Sequence, residues 1–173
     1  CVDFGTVRTR MRDPLEGVPI LLAATGPRNL RLAGEIADGA ILLSGGSPSA
    51  ISRARGLIEQ GAQDAGKAPQ DVRIIVSAHT QVTDDVERDA RMLKPICAGI
   101  AQRGGRAALA IAGIEAEVPA HVPEVYPDLV HAEDWEAAVE VCGQWISDED
   151  AIRFAEEFCL LGTPAEIARK IEL

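Results

Sequence analysis

Val18-Pro19-Ile20-Leu21-Leu22-Ala23-Ala24-Thr25-Gly26-Pro27, followed directly by Arg28 to Gly39 (RNLRLAGEIADG), decides the fold class of this chain. Val18 to Ala24 is a short apolar run bounded by turn residues, which predicts a buried strand. Pro27 suits the first position of a helix and Gly39 suits its C-terminal end. Between them Leu30, Ala33 and Ala37 line up with Leu32 and Ile36 as an apolar side, so the stretch reads as strand, turn, helix. The pattern repeats outward. Ala40 to Leu43 is a second strand, ended by Ser44-Gly45-Gly46-Ser47-Pro48, where Ser47 can cap a helix running to about Ala65. Val72 to Val82 is a third strand, and Thr83-Asp84-Asp85 opens a further helix that Pro95 should kink or end.

Strands alternating with helices of this length predict an α/β fold with right-handed βαβ units and a parallel sheet. From Arg103 to Val130 the pattern fails, because Gly104, Gly105, Gly113, Pro119, Pro123 and Pro127 break up the apolar pieces, and a loop-rich insertion is expected over 103–130. Helical periodicity resumes over Asp134 to Gln144 and Asp148 to Glu157, the second helix capped by Ser147. Phe158-Cys159-Leu160-Leu161 is a short strand-like piece, and Thr163-Pro164-Ala165-Glu166 is a capping box.

Composition narrows the function. Of 173 residues, 17 are Lys or Arg and 27 Asp or Glu, for a net charge of −10, and only 3 Phe, 2 Trp and 1 Tyr are present. Acidic balance and scarce aromatics argue against nucleic acid as a partner. Runs such as Ala107 to Ile114 fall far short of the roughly 18 to 20 apolar residues a membrane span needs. The cysteines at 1, 97, 142 and 159 have no CxxC spacing and no metal-ligand pattern, so no metal is expected and a reducing, cytoplasmic setting is the default. The first residue is not Met and the last ones read as helix, so both ends are expected to lie inside a longer chain.

Two turns can carry chemistry. Ala24-Thr25-Gly26-Pro27 joins the C-terminal end of a buried strand to a helix start, where parallel α/β folds bind ligands. Its amides and the Thr25 hydroxyl make either an anion site suited to phosphate or a plain structural helix start; Arg28 beside it suits an anionic ligand or stands on the surface. Ser44-Gly45-Gly46 holds the same place after the next strand, as a close approach for a ligand or as a simple turn. His79, near the end of the third strand, is a candidate substrate-facing proton donor or acceptor, or a structural histidine. Cys97, Cys142 and Cys159 read as small buried hydrophobes.

The segment V-P-I-L-L-A-A-T-G-P followed by L-A-G-E-I-A-D-G (Leu32 to Gly39), together with the late G-T-P-A-E piece (Gly162 to Glu166), resembles the bacterial luciferase-like monooxygenases. It is most similar to their deazaflavin-dependent branch, which includes methylenetetrahydromethanopterin reductase. The resemblance implies part of a TIM (β/α)8 barrel, about three parallel βα units corresponding to its fifth, sixth and seventh strands, plus a helical C-terminal region. A whole barrel needs about 250 residues, so residues 1–173 are expected to form a single partial domain.

By that resemblance Ala24, Thr25, Gly26 and Pro27 hold the cofactor phosphate, with Arg28 beside them, and Ser44, Gly45 and Gly46 lie near the cofactor or substrate. The implied activity is hydride transfer between coenzyme F-420, or alternatively FMN, and a small organic substrate, in a cytoplasmic homo-oligomer. The groups around the reactive ring come from early barrel strands and are not expected in this sequence. A reading from another class stands beside it: a noncatalytic α/β binding or interaction module.

Overall fold

The computed structural model describes residues 2–3, 8–9, 17–43 and 45–172. A small antiparallel pair, β1 (Val2–Asp3) and β2 (Arg8–Thr9), comes first. The deciding stretch follows as β3 (Leu21–Ala24), α1 (Pro27–Ile36), β4 (Gly39–Leu42) and α2 (Pro48–Asp64), and then β5 (Arg73–Val76). The three strands form a parallel sheet in chain order, with Leu22, Ala40 and Ile74 in one row and Ala24, Leu42 and Val76 two rows on. Leu22, Ala24, Ala40, Leu42 and Ile74 face the helices and pack with Leu30, Ala33, Ala54 and Ile58 into one apolar core. β3 begins at Leu21 rather than Val18, because Pro19 has no amide to give a ladder and Ile20 bonds to Asp38.

Two glycines set the spacing of the helix layer. A Cβ on Gly34 would lie 2.0 Å from the carbonyl oxygen of Ile58, and one on Gly61 would lie 2.0 Å from that of Arg31. α1 and α2 therefore touch backbone to backbone, which only glycine permits at both crossing points.

The third strand departs from its sequence reading. Val72 to Val82 is not one strand but two, β5 and then β6 (His79–Val82), separated by Ser77 and Ala78. β5 pairs with β4, while β6 pairs in parallel with β7 (Cys159–Gly162), His79 opposite Cys159. One run of chain thus serves two ladders in succession. Composition carries no mark of this division, since neither Ser77 nor Ala78 is a breaker.

Between β6 and β7 lies a helical region. Asp85 caps α3 (Val86–Ala90), and after a 3-10 turn over Arg91–Leu93 comes α4 (Lys94–Ile100), with Pro95 in its first turn as a kink rather than a stop. The expected insertion over 103–130 is regular in part: Gly104, at φ +92°, breaks the helical run, and α5 (Arg106–Ile111) follows. Beyond it the chain is irregular to Asp134, yet Ile114, Ala116 and Val118 are buried while Glu115 and Glu117 are exposed. α6 (Trp135–Cys142) and α7 (Asp148–Phe158) start at Asp134 and Ser147, and α8 (Pro164–Ile171) starts from the Thr163–Glu166 capping box. A second core, with Cys97, Leu109, Ile114, Leu129, Cys142, Phe154 and Cys159, holds this region together. No helix among the described residues is long and apolar enough to cross a membrane.

Candidate cofactor site

The C-terminal ends of β3 and β4 lie side by side, where the Leu43 amide donates to the Ala24 carbonyl at 3.5 Å. Both candidate turns leave from this edge. In the first, Gly26 is the N-cap of α1 with an extended backbone (φ −88°, ψ 157°) and no side chain to cap the helix. The first backbone bond of that helix runs from the Leu30 amide to the Gly26 carbonyl, so the amides of Arg28 and Asn29 have no acceptor among the described residues.

This turn differs from its counterparts. Among the described residues five α-helices open from an extended N-cap residue, and Ser47, Asp134, Ser147 and Thr163 all supply a side-chain oxygen to their helix, while Gly26 supplies none. A Cβ built on Gly26 meets nothing within 4 Å, and Thr25, Pro27, Arg28 and Asn29 are exposed. The positive end of α1 thus faces open space with free donors, the arrangement that receives a phosphate. The open Thr25–Pro27 turn with the free Arg28 and Asn29 amides has the donor chemistry an anionic group needs.

The second turn is built differently. Ser44 lies outside the described residues. Gly45 has φ +110°, a conformation that favours glycine, and a Cβ there would meet the Glu157 carbonyl oxygen at 3.1 Å and Phe158 Cδ1 at 3.2 Å. The amides of Gly46 and Ser47 both donate to that Glu157 carbonyl, each at 3.1 Å. Gly45 and Gly46 therefore give this turn its shape, and the Gly46 amide is already committed. A Cβ on Gly46 would lie 3.9 Å from Ala78 Cβ, so the turn abuts the residue before His79. His79 is exposed at the start of β6, without a side-chain hydrogen bond among the described residues.

Glu157 escaped the sequence reading, although one signal was present. A carboxylate in the last turn of a helix opposes the helix dipole, so it points to a partner elsewhere in the fold.

At the far ends of β6 and β7, a cleft of about 350 Å³ is lined by Val82, Thr83, Asp84, Arg88, Asp89, Thr163 and Pro164. Its charges are mutually satisfied. Arg88 Nε donates to Asp89 Oδ1 at 2.7 Å and Gln81 Nε2 to Asp89 Oδ2 at 3.2 Å. The Arg88 bond, with that of the Thr83 hydroxyl, holds Asp89 down at about 2, and Asp89 in turn raises Arg88. A second cleft, of about 490 Å³, runs between α2 and β5 along Arg55, Glu59, Gln70 and Arg73. Neither cleft includes the Thr25 turn. Among the described residues no cluster of His, Cys, Asp or Glu could hold a metal ion.

Comparison with known proteins decides the family: the model of the luciferase-like monooxygenases matches residues 3–173. The chain belongs to the luciferase-like monooxygenase family. Among curated members, 5,10-methylenetetrahydromethanopterin reductase of Methanopyrus kandleri is 28% identical over 155 residues, 90% of this chain and 41% of the relative. The F420-dependent glucose-6-phosphate dehydrogenase of Nakamurella multipartita is 34% identical over 87 residues, 50% of this chain and 25% of that protein.

Solved structures agree in fold. The coenzyme F420-dependent tetrahydromethanopterin reductase from Methanopyrus kandleri superposes with a TM-score of 0.60 at 25% identity, over 90% of this chain and 41% of that one. An F420-dependent secondary alcohol dehydrogenase, solved with an F420-acetone adduct, gives 0.55 at 19% identity, over 92% of this chain and 40% of that one, a likeness of fold alone. This luciferase-like chain thus spans about two fifths of the length of the structures it matches. F420 stands in the names of the glucose-6-phosphate dehydrogenase and of both structures, and the parallel α/β arrangement found here is similar to that of the reductase.

Proposed function

We propose that this chain is the C-terminal portion of a luciferase-like barrel oxidoreductase, contributing the fifth to seventh barrel strands as a single partial domain over 1–173, with its insertion over 103–130. The reaction is hydride transfer between coenzyme F-420 and a small organic substrate in the cytoplasm, by a homo-oligomer, with FMN as the second choice of cofactor. F-420 supplies the hydride chemistry when bound. The chain's own residues supply position and electrostatics. Thr25, Gly26 and Arg28 bind the cofactor's phosphate at the start of α1, with Ala24 and Pro27 shaping the turn, and Gly45 and Gly46 wall the neighbouring side. His79, exposed on β6 beside that wall, faces the substrate.

The observation that carries this reading is the uncapped, open start of α1, where the other α-helices with an extended N-cap among the described residues are all capped by a side chain. The names of the F420-dependent glucose-6-phosphate dehydrogenase and of the coenzyme F420-dependent reductase structure support F-420 over FMN. The test is a fluorescence titration of the protein, in its natural length, with F-420 and with FMN, repeated with Gly26→Asp. The aspartate places a carboxylate where the phosphate sits, and an affinity loss of at least tenfold, about 1.4 kcal/mol, is expected. Failure of the wild type to bind either cofactor overturns the oxidoreductase reading.

A further inference from the structure

Glu157 sits in the last turn of α7, yet most of its polar contacts lie about α2, more than a hundred residues earlier. Its backbone carbonyl accepts the amides of Gly46 and Ser47, each at 3.1 Å. Its carboxylate Oε1 accepts the Ser47 hydroxyl at 2.7 Å and the Ser49 hydroxyl at 3.5 Å, and lies 3.5 Å from Arg53 NH2. Ser47 is itself the N-cap of α2, its oxygen accepting the Ala50 amide at 3.2 Å. The carbonyl end of α7 and the Glu157 side chain therefore both meet the start of α2, so backbone groups left over at the two helix ends satisfy each other.

From this geometry we infer that Glu157 is a positioning residue of the cofactor site: its carboxylate, held by the Ser47 and Ser49 hydroxyls, covers the start of α2 and together with its backbone carbonyl fixes the Gly45–Ser47 turn as a rigid wall. The inference rests on the cofactor reading given above. It also divides the work between the two turns. An internal carboxylate already fills the start of α2, whereas the start of α1 is open, so the cofactor's anionic group goes to the Thr25–Pro27 turn and the second turn contributes shape alone. Gly45 answers the same need, since its left-handed backbone lets the turn close against the Glu157 carbonyl and the Phe158 ring. The acceptor oxygen matters here more than the charge, because the Arg53 pair is half exposed and such pairs contribute little.

The experiment compares Glu157→Ala with Glu157→Gln in the natural-length protein, reading the affinity for F-420 and FMN by fluorescence and the folded state by circular dichroism. Glu157→Gln keeps an oxygen for Ser47 and Ser49 and is expected to stay within about threefold of wild type. Glu157→Ala is expected to lose at least tenfold in affinity while folded, with faster amide exchange at Gly46 and Ser47. Should Glu157→Ala fail to fold, Ser47→Asp keeps the cap of α2 but repels Glu157. It is expected to lose affinity, and Ser47→Asp combined with Glu157→Gln to regain it. Wild-type affinity in Glu157→Ala, equal loss in the Ala and Gln variants, or no recovery in the double variant overturns the inference and leaves the cofactor reading standing. A wild type that binds neither cofactor overturns both.

Discussion

Asp38 and Ile20 hold each other twice. The Ile20 amide donates to Asp38 Oδ2 at 2.7 Å, and the Asp38 amide donates back to the Ile20 carbonyl at 2.9 Å. The Asp38 carbonyl then accepts the Arg73 amide at 3.0 Å, so one residue joins the entries to β3 and β5. The aspartate of the L-A-G-E-I-A-D-G segment is a strand clamp. Asp38→Ala should cost about 1 kcal/mol in urea unfolding, the usual net worth of such a bond. Asp38→Asn, which keeps an acceptor oxygen, should cost less than half as much, and neither should change cofactor affinity.

Gly34, the first glycine of the same segment, has an equally mechanical role. Alanine at Gly34 must push Ile58 aside and alanine at Gly61 must push Arg31, in both cases against helix backbone. Each substitution should lower stability by about 1 to 3 kcal/mol, the range for overpacking. Thermal or urea unfolding of the two variants measures it; an unchanged midpoint would mean that α1 and α2 are further apart.

Gly26 should respond with the opposite sign. Its backbone is already extended at φ −88° and its Cβ direction is empty. Gly26→Asp provides the missing cap of α1, so the variant is expected to gain a few tenths of a kcal/mol in stability, even as it loses the cofactor. A denaturation curve recorded beside the binding titration separates the two effects.

Acid should find Asp89. Its carboxyl lies at about 2 in the folded protein against an ordinary value of 3.8, chiefly through Arg88 and then Thr83. A depressed carboxyl stabilises the fold above its unfolded value, and that contribution disappears as pH falls through the folded one. Wild type should therefore exceed Asp89→Asn in unfolding midpoint at pH 7, with the gap narrowing between pH 3.8 and about 2. A gap that stays constant over that range would show that Asp89 is not held by Arg88.

The buried thiols should be silent. Burial pushes Cys97 and Cys159 up to about 12 and Cys142 to about 11, so almost no thiolate exists at pH 8. Iodoacetamide should leave all three unmodified in the folded protein and label them once it is unfolded, as read by mass spectrometry of the peptides.

What could be read from the residues alone was whatever local chemistry specifies. Pro27 and Ser47-Pro48 start their helices, Thr163 and Glu166 close their box with the Thr163 amide 2.8 Å from Glu166 Oε2, and the apolar runs form the parallel strands. The division at Ser77 and Ala78 was not legible, since pairing with β4 below and β7 above creates it and no residue there announces it. Helix α5 was hidden by the glycines at 104, 105 and 113 that flank it. The turn at Thr25 showed its place at a strand end but not its unfilled cap, which stands out only beside the other helices. Glu157 shows in the sequence only as a carboxylate at a helix end; its partners are distant in sequence and meet it only when the two cores are assembled.

The stretch from Ile114 to Val118 buries every second residue in the helical core and turns Glu115 and Glu117 outward. Three of its five positions are held by packing, and the two outer carboxylates face water, Glu117 with Arg106 3.9 Å away. A change of side chain at Glu115 or Glu117 therefore alters what this surface presents without reaching the core that carries the parallel sheet.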